Sequence, residues 1–192
     1  GNNDTYSTSA IKADGTLNVN GGRFNITNSG SAGKGIKCDG EATFGTAESG
    51  PEITITMTGD RVKESGTSSG GSTGGGGRPG GGGWGPGGGG FDPNGDYANP
   101  KAIKIDGNLT LNSGTYNLTC TKDGGEALES KQTLTINGGT YNLATYDDCI
   151  NAANHIQING GAIKCIASGN DAIDSNGTMT IAGGVVVACG AR

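Results

Sequence analysis

The feature that most constrains this chain is an internal repeat. Ala127-Leu128-Glu129 is followed ten residues on by Asn137-Gly138-Gly139-Thr140-Tyr141-Asn142-Leu143. Asp147-Asp148-Cys149-Ile150-Asn151 opens a second copy that reaches Asn159-Gly160-Gly161, and Asn170-Asp171-Ala172-Ile173-Asp174 opens a third. Extended over the chain, six copies align, starting at Ala10, Gly35, Ala102, Ala127, Cys149 and Ala172, with offsets of 25, 67, 25, 22 and 23 residues. A fixed period of this length outranks local propensity as a fold signal.

Each copy divides into three short extended pieces. The first is an Ile-X-small segment such as Ile36-Lys37-Cys38 or Ile150-Asn151-Ala152. The second alternates apolar and polar residues, as in Leu109-Thr110-Leu111 and Ile156-Gln157-Ile158, which is the period of a strand with one buried face. The third is of the type Tyr116-Asn117-Leu118. In four copies Asp-Gly or Asn-Gly separates the first two pieces, and Asn-Gly-Gly or a variant separates the second from the third; both suit tight corners, because Asn and Gly tolerate positive φ. Three strands per 22–25 residues predict an all-β, single-stranded parallel β-helix of about six rungs, right-handed by the usual crossover rule. The whole of 1–192 is then one domain, and Asn20, Asn112, Asn137 and Asn159 stack into an amide ladder at one corner.

Composition agrees. Apolar residues make up 31%, little for a broad two-layer core but enough for a solenoid whose repeats bury their faces only against neighbours. The 41 glycines show no every-third-residue period, which excludes collagen. A formal net charge of −5 argues against binding the nucleic-acid backbone. No apolar run is long enough for a membrane span. No leader is visible at Gly1, as in a trimmed mature chain. The five cysteines lack C-x-x-C spacing and His155 is the single histidine, so zinc is not expected. The cysteines read as small core residues, Cys165 in line with Ile26, Leu118, Leu143 and Val187, and Cys120 and Cys189 in line with Thr145 and Ala167.

The 67-residue offset is one repeat plus an insertion loop over 60–100, in which 17 of the 30 residues from Gly66 to Gly95 are Gly. Such a stretch buries too little apolar surface to offset its ordering entropy. It carries Arg78, Phe91 and the single Trp, Trp84, whose indole is a candidate platform for a sugar ring.

Chemistry concentrates before and within the first piece of the later copies. Glu126, Asp148 and Asp171 precede it; Glu129, Asn151 and Asp174 lie within it; Asp147 and Asn170 are auxiliary donors. Rungs lie about 4.8 Å apart, so oxygens from neighbouring rungs can meet at one ion, and calcium takes six to eight of them. The alternative is a solvated acidic face with Lys122 or Lys131 as counter-ion. The same outward position in earlier copies is Lys12, Lys37 and Lys104, a basic strip continuing the acidic one and, with Lys131 and Trp84, a candidate surface for a carboxylated polymer.

These motifs together, Ile-Lys-x-Asp-Gly, Asn-Gly-Gly-Thr-Tyr-Asn-Leu, Asp-Asp-Cys-Ile-Asn, Asn-Asp-Ala-Ile-Asp and the Gly-rich Arg-Pro…Trp insert, resemble the small bacterial carbohydrate-binding β-helix family over essentially the whole chain. That family in turn resembles calcium-dependent pectate lyases. The resemblance implies a secreted or surface-attached binder of acidic pectin (polygalacturonate), and of cellulose, with calcium at corners such as 147–151 and 170–174. Lys34 and Lys37 replace the acids in the early rungs, where no metal is expected. Two other functions fit the same fold: a polysaccharide lyase with Lys104 or Lys131 as base, and a structural or adhesive surface module.

Overall fold

The computed structural model describes residues 8–63 and 97–191. Among them there is no helix; the chain winds as a parallel β-solenoid of six rungs. Its strands fall into three six-stranded parallel sheets, one strand per rung in each. The first sheet stacks Ser9–Ala13 (β1), Lys34–Cys38 (β4), Lys101–Ile105 (β9), Glu126–Ser130 (β12), Ile150–Ala152 (β15) and Ile173–Ser175 (β18). The second stacks Leu17–Val19 (β2), Ala42–Phe44 (β5), Leu109–Leu111 (β10), Thr133–Ile136 (β13), His155–Ile158 (β16) and Thr178–Ile181 (β19). The third stacks Arg23–Asn28 (β3), Glu52–Met57 (β6), Thr115–Cys120 (β11), Thr140–Thr145 (β14), Ala162–Ala167 (β17) and Val185–Cys189 (β20).

The register follows the sequence period. Ile11, Ile36, Ile103, Leu128, Ile150 and Ile173 pair in turn along the first sheet. Alternation sends such residues inward, and the interior is a column of Ile, Leu and Ala between the three sheets. Tyr116 and Tyr141 are fully buried and stack face to face at 4.7 Å, with Phe44 edge-on to Tyr116. Each tyrosine hydroxyl donates to a corner carbonyl three residues back, Ser113 O and Gly138 O, so both rings are buried without stranding a polar group.

The amide ladder forms over three rungs. Asn159 Nδ2 donates to Asn137 Oδ1 and Asn137 Nδ2 to Asn112 Oδ1, each at 2.8 Å. Above them Asn112 donates to the carbonyl of Gly45, the second rung's residue at that corner, so Asn20 is separated from the ladder by a rung with no side-chain amide. The second rung departs because its corner is longer, running from Gly45 to Pro51 and closed by Thr46 and Ser49.

One alignment is corrected. In the last rung Val186, not Val185, pairs with Ile163's position, so Cys165 lies against Ala188 and Cys189 against Ile166. A one-residue slip turns the whole strand over, and Cys189 faces outward and exposed, whereas the other four cysteines are buried. All five thiols are free.

The insert leaves and returns through a short antiparallel pair, Val62–Lys63 (β7) with Tyr97–Ala98 (β8). Arg61 ties this foot to the solenoid, its guanidinium 4.1 Å from the Tyr97 ring centre and 2.9 Å from Asp123. The expectations for Arg78, Trp84 and Phe91 lie outside the described residues.

Candidate functional site

Two columns flank the inward Ile/Leu line of the first sheet. Two residues before it stand Ser9, Lys34, Lys101, Glu126, Asp148 and Asp171; one residue after it stand Lys12, Lys37, Lys104, Glu129, Asn151 and Asp174. Both columns change sign at the same place, between the third and fourth rungs. Parallel stacking puts like residues side by side about 4.8 Å apart, so each block needs counter-charge.

The basic block has it. Asp14, Asp39 and Asp106, two residues further along each strand, take up the lysines: Lys37 Nζ is 2.8 Å from Asp39 and Lys104 Nζ 3.5 Å from Asp106, while Lys12 pairs with Asp14 and Asp39. Hydrogen bonds from Lys37 and Lys12 hold the Asp39 carboxyl down at about 2. Lys34 is different. It is buried, pairs with no carboxylate among the described residues, and donates to the carbonyls of Ala32 and Asn99. Burial, then repulsion from Lys101 and Lys104, lowers it to about 8.

At the sign change, Lys101 reaches down between two acids, 2.7 Å from Glu126 Oε1 and 2.9 Å from Glu129 Oε1. Glu129 Oε1 also accepts Lys131 at 2.5 Å. All of this is buried except Lys131, with Glu126 6% and Glu129 2% exposed. Burial alone raises Glu129, but Lys101 and Lys131 together outweigh it and hold the carboxyl to about 2. Glu126, left with a share of one ammonium and repelled by Glu129, is raised, chiefly by burial. Sequence reasoning pictured these positions as facing outward; the rung-four acids instead lie buried against a lysine of the preceding rung. Lys101 was missed because the insert interrupts the period just before it; its place two residues ahead of Ile103 was the available signal. Lys131 does act as counter-ion, whereas Lys122 turns to Asp60 at 3.5 Å.

Below the sign change, no ammonium pairs with Asp147, Asp148, Asp171 or Asp174 among the described residues. Asp147 Oδ1 accepts the Asn170 amide at 2.6 Å, and Asp148 Oδ2 the Asn151 amide at 2.8 Å. The other Asp148 oxygen, Oδ1, is buried and has no hydrogen-bond partner among the described residues. Burial is the main reason the Asp148 carboxyl rises to about 7; the Asn151 bond opposes it, and Asp147, Glu126 and Asp174 add repulsion. Glu126 Oε2 and Glu129 Oε2 are likewise buried without partners. Among the described residues no three Asp, Glu, His or Cys side chains converge as a ready-made ion cage. Lys37, Lys104 and Lys131 lie on the same outer face as this acidic run, each in an ion pair.

A family model described as carbohydrate-binding domain-containing protein matches residues 5–172, which takes in five rungs whole, the insert and Asp171 of the sixth rung. The chain belongs to that family. No curated protein and no solved structure matches it. In this carbohydrate-binding domain the first of the three sheets carries the most charged side chains along its strands. No helix among the described residues is long and apolar enough to cross a membrane.

Proposed function

We propose that this domain is a non-catalytic module that holds acidic plant cell-wall polysaccharide, of the polygalacturonate type, through calcium at the acid end of the first sheet. The observation that carries the reading is the charge balance of the two columns. Glu126 and Glu129, the first acids of the two columns, are held by Lys101 and Lys131, whereas among the described residues no ammonium pairs with Asp147, Asp148, Asp171 or Asp174. Asp148 keeps a buried carboxylate oxygen without a partner among the described residues, a costly arrangement that a cation would relieve. The donor set of Asp147, Asp148, Asn151, Asn170, Asp171 and Asp174 is all oxygen, once the two Asn amides turn their carbonyls inward, and all-oxygen donor sets suit calcium. The rung-four pair, Glu126 and Glu129, fits an ion less well, because Lys101 already stands between them.

Calcium bound there would supply a bridge from these carboxylates to uronate oxygens of the ligand. Lys104 and Lys37, along the same face, supply positive charge for further uronates, though both are partly neutralised by Asp106 and Asp39. Cellulose binding and a stacking role for Trp84 remain parts of the same proposal, and a carbohydrate binder of this kind acts at the cell surface or outside the cell.

The test is affinity electrophoresis through gels containing polygalacturonate. Retardation is expected with calcium, lost with chelator and lost in Asp171→Asn/Asp174→Asn. Equal mobility in gels with and without the polymer, calcium present, would reject the reading.

A further inference from the structure

We infer that the outer face of the third sheet, where its fourth and fifth rungs run into the acid corner, is a sugar-binding platform: Tyr146 takes one face of a sugar ring, and Lys164 takes the carboxylate of a uronate beside it. This site rests on the polysaccharide reading above and adds the residues that touch the sugar itself.

The outer face of this sheet changes character along the stack. Thr27, Thr56 and Thr119 run in register to Ala144 and then Ile166, and Asn117 and Asn142 run to Lys164. Hydroxyls and amides thus give way to an isoleucine and a lysine at the height of the acidic run. Ile166 is 42% exposed on a strand that otherwise buries its apolar residues. Lys164 is exposed and pairs with no carboxylate among the described residues, whereas Lys37, Lys104 and Lys131 of the first-sheet face are each in an ion pair. Strand β17 lies between β14 and β20, so this exposure belongs to the outer face and not to an end of the stack.

Tyr146 completes the patch. It follows β14 on the outward alternation of Asn142 and Ala144 and is 39% exposed. Because Ala144 is the register partner of Ile166, Tyr146 stands diagonal to Ile166. Residues so placed are about 7–8 Å apart, within the reach of one aromatic side chain. The ring is seated from below. A side chain at Gly169 would lie 2.7 Å from Cε1 and Cζ of Tyr146, and Gly169 does not have a left-handed φ, so glycine there makes room for the ring. The Gly169 N–H also donates to the Tyr146 carbonyl at 2.8 Å. The residues that follow these two, Asp147 and Asn170, make the 2.6 Å contact of the acid corner. An aromatic ring seated on glycine, an apolar neighbour, an uncommitted ammonium and the adjoining acid corner together match a uronate, whose C–H face is apolar and whose carboxylate is charged.

Affinity electrophoresis through polygalacturonate gels tests this, with melting temperature and sugar-free calcium heats measured on every variant. Tyr146→Ala is expected to weaken retention about three- to tenfold and Lys164→Gln about two- to fivefold, while Tyr146→Phe behaves as the wild type. All three are expected to melt, and to bind calcium alone, as the wild type does. Lys164→Gln alters only an exposed side chain, so it decides the matter if Tyr146→Ala proves less stable. Retention of Tyr146→Ala and Lys164→Gln equal to that of the wild type overturns the inference and leaves the calcium corner as the binding site. Retention that persists in chelator and falls in Tyr146→Ala supports the inference and removes the calcium reading. A wild type that the gel does not retard overturns both.

Discussion

Replacing Lys101 by Met is the sharpest probe of how the two charge blocks are joined. The ammonium lies 2.7 Å from Glu126 and 2.9 Å from Glu129, and both acids are almost wholly buried. Methionine fills similar volume but leaves two buried carboxylates with Lys131 alone, and Lys131 reaches only Glu129. Removing one partner of a buried pair costs about 3–5 kcal/mol, because the remaining charge is stranded. In a domain of this size that lowers Tm by roughly 6–20 °C. The loss depends on pH with a definite sign. Glu126 is already raised in the folded protein, so the folded state binds a proton where the unfolded chain does not. Stability contributed by that proton grows as pH falls, and the deficit of the variant shrinks toward the ordinary glutamate range. Adding Glu126→Gln should recover most of the loss, since removing both members of a buried pair is near neutral. Thermal and urea melts by circular dichroism, at several pH values, read all three effects. A loss below about 1 kcal/mol at neutral pH, or one that acid does not reduce, would refute the assignment of Lys101 as the charge keeping Glu126 and Glu129 buried.

Asp148→Asn should stabilise the calcium-free protein at pH 8. A carboxyl raised from 3.8 to about 7 opposes folding above the unfolded value, so its cost is absent at low pH and grows as pH rises toward 7. At face value the shift is worth about 4 kcal/mol; relaxation of the surroundings around the charge brings the expected gain to about 1–2 kcal/mol, a Tm rise of about 2–8 °C that should vanish by pH 4. Tyr141→Phe strands the Gly138 carbonyl and should cost about 1 kcal/mol, checked by urea denaturation, with no change in polysaccharide retention. Gly35→Ala would force a methyl within 2.6 Å of the Ala102 carbonyl and 2.7 Å of Ile55, and should lower Tm or abolish soluble expression.

Much of the fold was legible because a parallel solenoid repeats its own register. Once Ile36, Ile103, Leu128, Ile150 and Ile173 were aligned, every pairing in the first sheet followed, and the structure reproduces them. The last rung was harder. Val185-Val186-Val187 offers no alternation, so nothing local chose which valine faces in, and the pairing of Val186 with Ile163 turned Cys189 outward. The charged columns were half legible. Position along the strand identified Glu126, Glu129, Asp148 and Asp174, but not which of them the chain neutralises itself. Long side chains cross between rungs, and the reach of Lys101 toward Glu126 and Glu129 depends on a neighbour that the 42-residue interruption hides from the repeat. The depth of Asp148 was hidden for a similar reason, since alternation gives the face of a residue and not how far neighbouring turns cover it.

Whether calcium and uronate meet at the acid end of the first sheet is read by a calcium titration in an isothermal calorimeter, with and without oligogalacturonate. Calcium binding is expected to strengthen when the oligosaccharide is present, to weaken as pH falls through about 7 with protonation of Asp148, and to disappear in Asp171→Asn/Asp174→Asn. Calcium heats that are identical with and without uronate would contradict it.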